Sequence, residues 1–151
     1  VFVAGYTLGF RRGALVAATA WIIYGTANPF GSSGMLLLGV QIAGEIGYAL
    51  AGAVARKMLL PEKIQVLPSS TSLMFGILAV FSTLTYDVVT NVYTAIHWAI
   101  LAQSTDYFRW IVGTMFNPAA LFFAAAHLSS NVLFFAFFAP LISKAVCRLK
   151  G

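Results

Sequence analysis

Met35 to Lys57 reads MLLLGVQIAGEIGYALAGAVARK, and this stretch decides the fold. From Met35 to Ala55 it is apolar or small throughout, apart from Gln41 and the single ionisable Glu45, and Arg56-Lys57 then stop it. That is about the length an α-helix needs to cross roughly 30 Å of hydrocarbon. The same pattern repeats on both sides. Upstream, Arg11-Arg12 precede an apolar run from Gly13 to Ala27, slightly short for a span unless Phe10 and Phe30 extend it. Between the two runs, NPFGSSG (Asn28 to Gly34) has the Pro, Gly and Ser density of a turn.

Downstream, Met58 to Ser70 holds Pro61, Glu62, Lys63 and Pro68 and reads as a loop in water. Thr71 opens a run that stays apolar to about Ala102, longer than a bilayer requires, so the span is expected to end near Tyr93 to Ala95. Ile96 to Trp110 mixes aromatic with charged residues and reads as an interfacial helix or loop. The last span is expected from Pro118 to Ile142, with Asn117 as its cap, Pro118 in the first turn and Pro140 near its end.

Composition agrees. Of 151 residues, 60% are hydrophobic and 9% charged, and mean hydropathy is +0.89. Soluble domains carry roughly 25% charged residues, so a chain this poor in charge cannot cover itself against water. The fold class expected is therefore all-α: one polytopic transmembrane helix bundle over residues 1–151. Val1 to Phe10 is apolar but too short to span and has no basic signal-peptide start. It is read as the tail of a helix whose beginning is missing, giving about four full spans plus a partial one here and six in the presumed whole protein.

The net charge of +5 is a topology signal, not a nucleic-acid one, because the basic residues flank the apolar runs. With the C-terminus in the cytoplasm, Arg11, Arg12, Arg56, Lys57, Lys63, Lys144, Arg148 and Lys150 all fall inside and only Arg109 outside. The opposite orientation reverses this. Small residues recur at helical spacing (Gly13 and Ala17, Ala14 and Ala18, Gly47 and Ala51, Ala49 and Ala53), which suits close helix packing within the chain. Cys147 stands alone and can form no internal disulfide.

Ionisable or amide groups at membrane depth are the informative positions, since a charge at the bilayer centre costs at least about 2.5–3.5 kcal/mol. Three helices each carry a pair four residues apart: Gln41 and Glu45, Asp87 and Asn91, His127 and Asn131. Such pairs share a helix face. With Tyr48 close to Glu45, they are expected at comparable depth, displaced toward the outer side, where they would line a pocket or bond one another as packing glue. Catalytic motifs are absent from the sequence: no HExxH, GxSxG, Walker A loop or CxxC. A membrane-embedded hydrolase using Glu45 or Asp87 with His127 stays as an alternative, and an assembly subunit is another. No catalytic residue, metal ligand or cofactor is expected.

The order of these segments resembles one family. GYTLGFRRGALVAATAWIIYGTANPFG (Gly5 to Gly31), YDVVTN (Tyr86 to Asn91) and HLSSNVLFFAFFAPLI (His127 to Ile142) are similar to helix segments of S components of energy-coupling factor (ECF) transporters. The resemblance covers most of the chain, from about Gly5 to Lys150. It implies a small six-helix protein of a prokaryotic cell membrane that captures a vitamin or related micronutrient at the outer face. Delivery would involve a transmembrane T component and two ATPase subunits, with the lipid bilayer as surroundings and no nucleic acid. Carried onto this chain, the substrate-binding residues are Trp21, Tyr24, Asn28, Gln41, Glu45, Asp87, Asn91, His127 and Asn131. Two departures stand out: the family's first helix, with its docking motif, and the first outer loop are not in this sequence. Ala14 and Ala18 are not that motif.

Overall fold

A computed structural model describes residues 1–28, 31–66 and 69–149. Among the described residues there are seven α-helices: α1 (Phe2–Leu8), α2 (Phe10–Ala27), α3 (Met35–Met58), α4 (Ser70–Leu101), α5 (Tyr107–Met115), α6 (Pro118–Leu133) and α7 (Ala139–Arg148). A 3-10 turn at Pro61–Lys63 and a π turn at Phe134–Phe138 complete them. No strand occurs among the described residues. Among the described residues, three helical rods are long and apolar enough to cross a membrane, Met35–Met58, Ser70–Leu101 and Pro118–Arg148, where the sequence suggests about four. The helix α2 has 18 residues but opens on Arg11 and Arg12, which shortens its apolar length.

The helix starts follow local chemistry. Ser69 Oγ accepts from Ser72 N–H, Asp106 Oδ1 from Arg109 N–H and Asn117 Oδ1 from Ala120 N–H, at 3.2, 3.1 and 2.9 Å. Each satisfies a donor that the first turn leaves orphaned. Asn117 and Pro118 thus sit as the sequence suggests. Pro140 does not end the last span. Its missing N–H and bulky ring disturb the ladder one turn earlier, and the chain widens there into the π turn before continuing to Arg148.

Two boundaries differ from expectation. α4 runs unbroken to Leu101, 32 residues in all or roughly 48 Å, instead of ending near Tyr93 to Ala95. Nothing in Ile96 to Leu101 breaks a helix, and Ala95 and Ala99, both fully buried, let α5 fold closely against that end. The loop after Met58 is less aqueous than expected. Pro61 is buried and Ile64 is 2% exposed, Lys144 Nζ donates to Ile64 O at 3.0 Å, and Tyr6 Oη to Leu59 O at 2.6 Å. Of the Asn28 to Gly34 turn, Pro29 and Phe30 lie outside the described residues, as do Leu67, Pro68, Lys150 and Gly151.

α3 packs against α1, α2 and α4; α4 packs against α5 and α6 and the π turn, and α1 also touches α7. The closest approach is between α1 and α3. A Cβ at Gly52 would collide with the Phe2 carbonyl, and one at Gly5 with the Ala49 carbonyl. Gly13 and Ala49, from the small-residue spacings, take part; Gly47 has open space around it. Phe2 joins this contact to the core, its ring 4.9 Å from Phe75 and 4.5 Å from Phe135.

The outer faces are the reverse of a soluble protein's. Phe122 is 78% exposed, Leu73 68% and Phe81 67%, while Asp87, Thr83 and Ser143 are buried. An apolar exterior of this extent needs lipid around it. The basic residues gather at one end. Arg56 lies over the Tyr6 ring and reaches Cys147 Sγ, Phe10 shares a groove with Lys57, and Lys144 holds the Ile64 loop. Arg109 is at the other end, with Asp106 and Asn117.

Candidate functional site

Antiparallel helices decide which polar residues meet. α3 and α6 run from the Arg109 end toward the basic end, and α4 runs the opposite way. Residues that follow Glu45 and His127 by one turn therefore face residues that precede Asp87 by one turn. Two layers result.

In the layer nearer the basic end, Tyr48, Thr83 and Asn131 form a closed triad. Tyr48 Oη donates to Thr83 Oγ1 at 2.9 Å, and Asn131 Nδ2 donates to Tyr48 Oη at 3.1 Å and to Thr83 Oγ1 at 3.0 Å. Three helices are stitched by three bonds. In the next layer outward, His127 Nδ1 lies 2.8 Å from Asp87 Oδ1, and Trp21 Nε1 donates to Glu45 Oε2 at 3.3 Å. Rings wall this layer: Tyr86 stacks on Trp21 at 6.0 Å and meets His127 edge-on at 5.6 Å.

Both layers border one cavity of about 310 Å³, lined by Glu45, Tyr48, His127 and Asn131 together with Phe2 and Phe135. The size is at the lower end for small-molecule sites, and the make-up (aromatic walls with a few convergent polar groups) is theirs. Asp87 Oδ2 and Gln41 Oε1 are buried with no hydrogen-bond partner among the described residues. Each such atom costs about 1–3 kcal/mol unless water or a ligand meets it.

The nine expected residues divide accordingly. Glu45, His127 and Asn131 line the cavity; Asp87 holds His127, and Trp21 holds Glu45. Gln41 lies one turn beyond Glu45. Asn91 turns back to the Asp87 carbonyl of its own helix at 2.7 Å, as polar side chains without a nearby partner do in helices. Tyr24 is 55% exposed and reaches inward only by an edge-on contact with Trp21. Asn28 is at the C-cap of α2 and does not line the cavity. The polar pairs thus meet one turn deeper than the sequence suggests, and Thr83 and Tyr86 were missed. Thr83 is four residues before Asp87, so the same spacing rule finds it when applied in the other direction.

A wider, open groove of about 590 Å³ lies at the Arg109 end, along Ser104, Asp106, Arg109, Trp110 and Asn117. Asp106 and Asn117 are already engaged there as helix caps. Among the described residues, no three of His, Cys, Asp and Glu are grouped as metal ligands would be. Comparison of the chain with family models, with curated proteins and with solved structures finds no match.

Proposed function

We propose that this chain is the substrate-capture subunit, the S component, of an ECF-type importer for a vitamin or related micronutrient. In this reading four spans and a partial fifth cross a prokaryotic cell membrane with the C-terminus inside. A T component and two ATPase subunits then drive release of the substrate to the cytoplasm. The observation that carries it is the meeting of Glu45, His127 and Asn131 around one cavity at mid-span. Polar groups at that depth are costly to a membrane protein and are kept mainly where a substrate or ion uses them. The sequence supports the family through the segments at Gly5 to Gly31, Tyr86 to Asn91 and His127 to Ile142.

Native mass spectrometry of the purified chain tests the capture step. A co-purified small molecule that disappears in Asn131→Leu is the expected result. Co-expression with an ECF module tests the partners: retention of the T component and both ATPases on the tagged chain is expected. Failure of both removes the proposal. One observation favours a second reading, an assembly subunit whose polar residues only hold helices together: Asn131 Nδ2 donates to Tyr48 Oη and Thr83 Oγ1 of the chain itself. That reading predicts that substitutions unfold the chain and that no ligand is ever recovered.

A further inference from the structure

The groove of about 590 Å³ at the Arg109 end lies between two spanning rods, where α4 ends at Leu101 and α6 begins at Pro118. It therefore sits at the level of the membrane surface. It follows one side of α5: Arg109 and Gly113 are four residues apart, as are Trp110 and Thr114, and Asn117 closes the far end. Phe108, Val112 and Phe116 are exposed on the other side. A helix divided in this way lies in the interface, its apolar side toward the acyl chains and its polar side among the headgroups.

The walls carry one cation and one anion, and these do not pair. Among the described residues the one ion pair is His127–Asp87, so Arg109 and Asp106 share the groove without closing on each other. Asp106 spends one carboxylate oxygen as the cap of α5, on Arg109 N–H at 3.1 Å, and keeps the other. The Arg109 guanidinium and the Trp110 indole N–H have no partner among the described residues. The Asn117 side chain is spent on Thr114 O and Ala120 N–H. A Cβ on Gly113 would meet nothing within 4 Å, so the space beside Arg109 is open.

We propose that this groove seats the headgroup of a zwitterionic phospholipid with a primary ammonium. The phosphate takes the Arg109 guanidinium and the Trp110 indole N–H, and the ammonium takes the free oxygen of Asp106. An arginine offers phosphate a forked pair of donors, and an ammonium's N–H groups suit a carboxylate with unused acceptor sites. An anionic headgroup brings a phosphate but no partner for Asp106, and a quaternary ammonium has no N–H to donate. The assignment stands apart from the capture reading, since none of these residues borders the Glu45 cavity.

The test places the full chain in nanodiscs of equimolar phosphatidylethanolamine, phosphatidylcholine and phosphatidylglycerol with matched acyl chains. Native mass spectrometry then counts the lipids the chain retains. Preferential retention of one phosphatidylethanolamine is expected. Arg109→Gln is expected to lower that retention about fivefold or more. Asp106→Asn keeps a good helix cap and is expected to abolish the preference over phosphatidylglycerol. Gly113→Leu fills the groove without removing either charge and is expected to release the lipid. Equal retention of the three lipids by the unsubstituted chain overturns the assignment, as does a preference unchanged in Arg109→Gln or in Asp106→Asn. Soluble glycerophosphoethanolamine distinguishes the source: it is expected not to displace the lipid at equal concentration. Displacement would make the occupant a free zwitterion and overturn the lipid assignment.

Discussion

Removing the Asn131 side chain is the sharpest test of the inner layer. Asn131→Ala deletes two hydrogen bonds, to Tyr48 Oη and Thr83 Oγ1, at 3.1 and 3.0 Å. Interhelical side-chain bonds in membrane proteins contribute about 0.6 kcal/mol on average and up to about 1.7. Two of them give about 1–3 kcal/mol for the single substitution. The more telling number is the coupling with Thr83→Val, because Thr83 is 0% exposed and accepts from both Tyr48 and Asn131. A double-mutant cycle on reversible unfolding in mixed micelles measures it. If the triad is real, the two losses overlap and the coupling is about 0.6–1.7 kcal/mol. Additivity within about 0.3 kcal/mol would refute the triad, however destabilised either single variant proved to be.

Five further outcomes follow from particular positions. Gly52→Ala places a methyl against the Phe2 carbonyl, so a loss of about 1–3 kcal/mol is expected. Gly47→Ala has open space and is expected to be neutral or to gain about 0.5–1 kcal/mol, both read from thermal unfolding. His127→Leu strips the 2.8 Å partner from buried Asp87 and is expected to cost about 3 kcal/mol or more; Asn91→Ala, which loses only a bond to its own helix, is expected to stay within about 0.5 kcal/mol. For orientation, Thr105→Cys and Glu62→Cys in a Cys147→Ser background are exposed at opposite ends. A membrane-impermeant maleimide on whole cells is expected to label the first and not the second, and the reverse pattern overturns the topology.

Much of this architecture was legible from spacing and charge. Three of the about four full spans expected, the Asn117–Pro118 start and the clustering of basic residues at one end all appear in the order of apolar runs and their flanks. What spacing does not convey is register between helices. The pairs Gln41–Glu45 and Asp87–Asn91 were rightly placed on single faces, but how far α3 and α4 slide past each other decides which turn meets which. That slide shows in the packing of Gly44 of α3 against the Tyr86 ring of α4, a tertiary fit invisible to a one-helix pattern. It brings Tyr48 to Thr83 and leaves Asn91 to its own helix. Likewise, the sequence places Pro140 within the last span but not the π turn at Phe134–Phe138 that absorbs its lost bond.

The division between the two layers bears on what each can do. The Tyr48–Thr83–Asn131 triad closes three hydrogen bonds across three helices, so it fixes their mutual register. The outer layer is built differently. Trp21 holds Glu45 by a 3.3 Å bond, and Asp87 meets His127 through one oxygen while the other is buried without a partner among the described residues. Groups with unspent capacity, set on a layer that is fully bonded, have the arrangement a binding site needs: a rigid floor beneath side chains that gain partners only when the cavity fills. If so, ligand should protect the outer layer selectively. Indole fluorescence of Trp21, followed in a Trp98→Phe, Trp110→Phe background, is expected to respond to ligand while the Asn131–Thr83 coupling energy stays the same. A coupling energy that shifts with ligand would mean that the floor moves, and the separation of roles would fail.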